Sequence, residues 1–204
     1  MSRIRLSMLL SAVVAVSLIA APALAQAEEV QIEGAASEGG TIQAASSNLE
    51  FQAGGITVSC PEADLSVWMI GNAFGIVTGG GFKGKGGGAC ETSVGGADVT
   101  INATFEEPWF VQFESFGSGG AGLIAMAEEE ISFIAQLQMG GSSVITCTYS
   151  AVFASFTYNT DGEDLQMKIP SAGFTTQSPG CGEGGFLHGA FKVTSSGGQV
   201  TADA

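Results

Sequence analysis

The chain has 204 residues, with 20 acidic side chains against six basic ones and a formal charge of −14 when its single histidine is neutral. Such a surface repels nucleic-acid phosphates and anionic lipid headgroups, so a nucleic-acid partner is disfavoured. The length suits one domain with a sizeable core.

In chain order, MSRIR carries both arginines, Arg3 and Arg5, and LSMLLSAVVAVSLIAAPALA follows as an apolar run ending in small residues. This is the charged start, apolar core and small-x-small exit of a secretory signal peptide. The expected cleavage is after Ala25, with Ala27 as second choice, so residues 1–25 are read as signal peptide and 26–204 as a single domain, secreted or held in the cell envelope. A retained anchor is the weaker reading: the run is near the lower limit for a spanning helix and Pro22 stands near its end. No later segment is long and apolar enough to cross a bilayer as a helix, so no transmembrane helix is expected in the mature chain.

Short runs rich in Val, Ile, Phe and Thr then alternate with glycine clusters, the pattern of all-β domains. GITVSC, DLSVWMI, DVTINATF, WFVQFES, SSVITCTYS, VFASFTYN, LQMKI, GFTTQ and FLHGAFKVT are the predicted strands. Asp161-Gly162 is a hairpin signal, because glycine tolerates the positive φ of a tight turn. GGGFKGKGGGAC (79–90) and GSGGAG (117–122) read as loops or bulged edges. AMAEEEISFIAQLQMG contains helix formers, but Ile131, Phe133, Ala135, Leu137 and Met139 alternate with more polar neighbours, so period two and a strand are preferred.

Two cysteines begin similar stretches, CPEADLSVWMIGN at Cys60 and CTYSAVFASFTYN at Cys147. Leu65, Val67 and Met69 stand at the same odd offsets as Val152, Ala154 and Phe156, so each trio is expected on one core-facing side of a strand. The second cysteines, Cys90 and Cys181, each lie in a glycine-rich segment before another predicted strand. A duplicated unit, half-units about 55–105 and 143–195, accounts for these matches, with chance alternation as its rival. If the unit is real, the bridges are Cys60–Cys90 and Cys147–Cys181, as befits an exported chain. Each would be worth roughly 3–4 kcal/mol in the chain-entropy picture.

The series TVSC…GGGAC…VTINATFEEPW…VITCTYS…FTYN…CGEGG…LHGAFKVT resembles a group of uncharacterised, secreted, two-disulfide, all-β proteins of actinobacterial type. The resemblance covers about residues 55–194. It implies fold class and compartment, and it brings no activity.

Candidate chemistry is sparse. His188 is the only histidine, so a Ser-His-Asp or Cys-His device would have to use it. Its neighbours Phe186, Ala190 and Val193 suggest a half-buried structural histidine in a strand packed on the core, with one ring nitrogen on a backbone carbonyl. No G-x-S-x-G elbow stands in the chain, paired cysteines offer no thiolate, and zinc lacks ligands. No catalytic residue is therefore assigned. Gly79, Gly84 and Lys85 satisfy G-x-x-x-x-G-K, but Gly86 stands where Ser or Thr should hold magnesium, so a flexible loop with two solvated lysines is preferred. Asn159, Asp161, Glu163 and Asp164 in NTDGEDL are a candidate calcium turn without the D-x-D-x-D-G spacing; a solvated acidic tip is the preferred reading, and no cofactor is expected. Glu106-Glu107 and Glu128-Glu129-Glu130 form no local acid pair, because adjacent strand residues face opposite ways. Trp68, Trp109, Tyr149 and Tyr158 are candidate platforms for a ligand such as a sugar ring.

These residues together predict an all-β protein, an antiparallel β-sandwich or partly open barrel. Two bridges and short strands weigh against an outer-membrane barrel. The expected function is a cell-envelope or extracellular structural or binding protein without catalysis, whose partner would be a cell-wall or polysaccharide surface. The alternative is a secreted hydrolase acting on glycans through two carboxylates distant in sequence.

Overall fold

A computed structural model describes residues 29–32, 35–36, 38–103, 108–116, 119–126, 129–160, 165–196 and 198–203. The chain runs up and down as eight long staves, most of them bent at mid-length into two strands. The first is β3 (Thr41–Ser46) with β4 (Leu49–Ala53), the second β5 (Ile56–Cys60) with β6 (Ala63–Gly71), and the third β7 (Phe74–Gly81) with β8 (Cys90–Thr92). The fourth is β9 (Ala97–Ala103) with β10 (Trp109–Phe116), the fifth β11 (Gly119–Met126) with β12 (Ile131–Met139), and the sixth β13 (Ser142–Ala151) with β14 (Phe153–Thr160). The seventh and eighth are the single strands β15 (Leu165–Thr175) and β16 (Gly184–Ser195).

Every stave pairs antiparallel with its sequence neighbours, as in β4 with β5 and β6 with β7. The eighth closes on the first, since β16 pairs with both β3 and β4. The result is a closed barrel, and the expected all-β antiparallel class is correct. Eight staves suit an interior that side chains fill or that holds one small ligand. Inward residues alternate along each strand: Ile42 and Ala44, Leu49 and Phe51, Val67 and Met69, Ile131 and Phe133, and Phe191 and Val193 join one core.

The bends set where each stave turns. Ser47-Asn48 separate β3 from β4 and Pro61-Glu62 separate β5 from β6, while Val152 marks the step from β13 to β14. In β15 the register shifts between Ile169 and Ala172, around Pro170, whose missing N–H suits a bulge. The bend at Val152 limits the expected equivalence of the two cysteine segments. Leu65, Val67, Met69, Ala154 and Phe156 are buried, but Val152 is 65% exposed. The crossing comes directly after Cys60 in one segment and several residues after Cys147 in the other. The expected half-units also do not form separate sheets, because the strands of both belong to one closed barrel.

Two glycine segments differ from expectation. Gly119–Gly122 belong to β11 rather than a loop, and the reason is packing. A Cβ on Gly120 would stand 2.1 Å from the Tyr158 ring, and one on Gly122 would stand 2.4 Å from the Phe156 ring. The glycines give space to two inward aromatic rings, a demand that local pattern does not reveal. Gly79–Gly81 likewise finish β7, and the loop beyond them is an ordered turn described below. LQMKI and GFTTQ are parts of one strand, β15. The Asp161-Gly162 turn lies outside the described residues; the pairing of Thr160 with Leu165 makes that connection four residues long.

One end of the barrel is covered. β1 (Glu29–Ile32), β2 (Ala35–Ala36) and β17 (Val200–Asp203) form a small sheet in the order β17-β1-β2. Val30 N–H donates to the Asn72 carbonyl in the β6–β7 turn (2.8 Å), and Val30 and Val200 are fully buried. The opposite end carries the β4–β5, β8–β9 and β12–β13 turns and the segment 176–183. Among the described residues no helix is long and apolar enough to cross a membrane.

Candidate functional site: the open end of the barrel

Inward residues near this opposite end, which is uncovered among the described residues, leave a cavity of about 90 Å³, lined by Phe51, Ala53, Ile56, Val58, Val99, Ala135, Leu137, Ile145 and Tyr149, the Cys147–Cys181 bridge, Gly54 and Gly180. Its position follows from alternation. Ile56 and Val58 share the inner face of β5 with Cys60, and Leu137 continues the inner row of Phe133 and Ala135. Leu137 pairs in register with Ile145, so the β12–β13 hairpin contributes two aliphatic side chains to the rim. Phe51 and Tyr149 line its inner side and pack on further rings beneath, with Phe51 edge-on to Phe133 at 5.1 Å and to Tyr149 at 4.7 Å.

The site's wall contains the barrel's thinnest seam. β13 and β15 share a single ladder pair, Ser150 with Thr175. Other bonds hold that seam: Tyr149 Oη donates to the Cys181 carbonyl (3.2 Å), Thr148 N–H to Ser178 Oγ (3.0 Å), and Cys147 is bridged to Cys181. The Cys60–Cys90 bridge joins β5 and β8, which share two ladder pairs. Both expected bridges are present, and each crosses a short ladder. Burial pushes the Tyr149 phenol above its ordinary pKa, so the hydroxyl is a neutral donor.

His188 stands apart from this site. Its Nε2 lies 3.0 Å from Glu50 Oε2, its register partner across β16 and β4, and both side chains are over a third exposed. The core-facing positions of this stretch are Leu187, Gly189 and Phe191, so His188 shares the outer face with Phe186, which is 58% exposed. This corrects two details: His188 faces outward, and its partner is a carboxylate rather than a backbone carbonyl.

The segment matching G-x-x-x-x-G-K is an anion cradle with its own occupant. Gly86 and Gly87 take positive φ of 74° and 79°, and their N–H groups donate to the two Glu62 carboxylate oxygens at 2.7 and 2.8 Å. Successive N–H groups in such turns converge on negative charge. Gly84 is required as well, since a Cβ there would meet the Ala89 carbonyl at 1.8 Å. The loop is thus an ordered turn, and Lys83 reaches Asp64 at 3.8 Å.

The four candidate platforms are not brought together. Trp109, Tyr149 and Tyr158 are inward and no more than 5% exposed, which leaves no ring face for a sugar. Trp68 is outward and 45% exposed, in a cross-strand row with Ile76, Phe110, Ala125 and Phe153. Of the candidate calcium residues, Asn159 lies on β14, while Asp161, Glu163 and Asp164 lie outside the described residues, as do Glu106, Glu107 and Glu128. Among the described residues no three His, Cys, Asp or Glu side chains come together as a metal-ion cluster. Compared with known proteins, the chain matches no family model, no curated protein and no solved structure.

Ile56, Val99 and Ile145 were not singled out from sequence, and Leu137 only as part of a strand's alternation. Their shared signal is an inward position at a strand end, beside the glycine turns Gly54-Gly55 and Gly140-Gly141.

Proposed function

We propose that the protein is a non-catalytic binding protein, exported with cleavage near Ala25, whose barrel takes a small apolar group at its uncovered end. The apolar cavity among Ile56, Val58, Val99, Leu137 and Ile145 carries this reading. Mouths of β-barrels are a recurrent location for ligand sites, and an eight-stranded barrel has room for one small ligand. The exposed His188–Glu50 pair supports the non-catalytic part, because a general base needs a nucleophile and an orienting group arranged around a substrate cavity.

A second contact is favoured by the outward row containing Trp68 and Phe153, which would rest on a cell-wall or polysaccharide surface while the mouth stays open. The test of the main reading combines binding with turnover. Butanol and hexanol should each raise the melting temperature, and glycan, ester and peptide substrates should remain uncleaved. Absence of any shift, or turnover of a glycan that survives purification to homogeneity, would overturn it.

A further inference from the structure

We infer that the mouth takes the end of an unbranched alkyl chain whose head group is neutral or cationic, the chain entering between Ile56, Leu137 and Ile145. This rests on the reading of the mouth as a binding site and adds the class of ligand.

Volume selects the shape. A cavity of about 90 Å³ is well under the roughly 150 Å³ of an apolar protein cavity that admits benzene, and it corresponds to about three water-sized units. A linear chain end of a few carbons fits, whereas a fused ring does not. The lining selects the polarity. It carries no charged side chain, and its one hydroxyl, on Tyr149, already donates to the Cys181 carbonyl. A polar group pushed inside would lose its water without gaining a partner, so the alkyl end enters first and the head stays outside.

Charge then selects the head. Asp98 follows Ala97 at the start of β9, next to the lining residue Val99, and Glu183 stands two residues beyond the lining Cys181; both are exposed. Neither these carboxylates nor any lysine belongs to the lining itself, and the whole chain carries −14. A carboxylate head left outside the mouth is repelled by the chain's net negative charge, and an ammonium or hydroxyl head is not.

Titration calorimetry of the purified protein with straight-chain alcohols, alkyltrimethylammonium ions and alkyl carboxylates tests this. In the first two series affinity should rise about fourfold per added methylene and level off beyond about three or four carbons. Carboxylates of equal length should bind at least about threefold more weakly at low ionic strength, with the gap closing as salt screens the rim. Ile145→Lys should reverse the head preference. Ile145→Trp should fill the entrance and abolish binding of all three series, and Leu137→Trp, at its register partner, repeats that test should the first variant fold poorly. If no series binds, the proposed function itself fails. If chains bind but carboxylates match ammonium ions at low salt, or the tryptophan variants bind unchanged, the mouth reading survives or moves and the alkyl-head assignment is overturned.

Discussion

Tyr149 and Cys181 meet inside the barrel, the phenol donating a 3.2 Å hydrogen bond to a carbonyl 32 positions further along the chain. That bond and the disulfide starting from Cys147 attach the segment 176–183 to β13, where the backbone ladder is thinnest. The same segment supplies part of the cavity wall, so the shape of the mouth depends on side-chain bonds more than on sheet pairing.

Tyr149→Phe should lower stability by about 1 kcal/mol near neutral pH, the net worth of a buried hydrogen bond. Burial raises the phenol's pKa above its unfolded value, so folding favours the protonated form. That contribution is complete below an unfolded pKa of about 10 and fades as pH climbs through the higher folded one. The variant should therefore lose less stability than the parent between about pH 9 and 11; parallel melting curves across that range would refute the argument.

Peptide mapping without reduction should yield the linked pairs Cys60–Cys90 and Cys147–Cys181 and no others. Replacing both cysteines of either pair by serine should cost about 2–5 kcal/mol. The Cys147/Cys181 pair should additionally raise amide exchange in β13 and the end of β15, because one ladder pair remains there. Protection unchanged at that seam would show that the ladder needs no clamp.

Glu62→Ala should remove the acceptor of two backbone N–H groups and cost about 1 kcal/mol, the smaller end of the range because the cradle is exposed. Glu62→Gln should fall between, since the amide keeps one acceptor oxygen. A variant as stable as the parent would mean that water satisfies Gly86 and Gly87 equally well.

Gly120→Ala should be more damaging than its size suggests. The added methyl would overlap the Tyr158 ring, which is held by its hydroxyl donating to the Glu114 carbonyl at 2.8 Å. Overpacking of this kind costs about 1–3 kcal/mol. Pairing the change with Tyr158→Leu should recover part of the loss, and failure of that rescue would locate the strain elsewhere.

His188→Gln should reduce stability by less than about 1 kcal/mol, because the pair with Glu50 is more than a third exposed on both sides. Ligand binding at the mouth should be unaffected. Turnover of any substrate that disappears in the folded variant would assign His188 the chemistry denied to it above.

Alternation made the strand class readable, since Ile131, Phe133 and Ala135, or Leu65, Val67 and Met69, declare an inner face by parity alone. What parity could not show was that two successive runs form one stave. The step at Pro61-Glu62 looks locally like a turn between unrelated strands, and only pairing with β4 and β3 on one side and β8 and β7 on the other reveals continuity. β3, β4, β7, β8, β11 and the small sheet were not read from the sequence; the alanines and glycines of β3, β7 and β11 carry little β signal, and the glycines of β11 are explained by rings from β14 far along the chain. The mouth was hidden for a related reason: Val99, Leu137 and Ile145 become neighbours only when β9, β12 and β13 stand side by side. The anion cradle was half visible, as a glycine-lysine loop whose occupant, Glu62, lies more than twenty positions earlier.

Because each stave lies beside its predecessor, the wall can be laid down hairpin by hairpin as the chain is synthesised. Only the last joint is non-local: β16 must travel back to β3 and β4 before the inner row is shielded. Until residues 184–195 are out, the nascent protein is a curling sheet with two unpaired margins and an apolar concave side. The interval before that final stave docks is when chaperones would have most to hold.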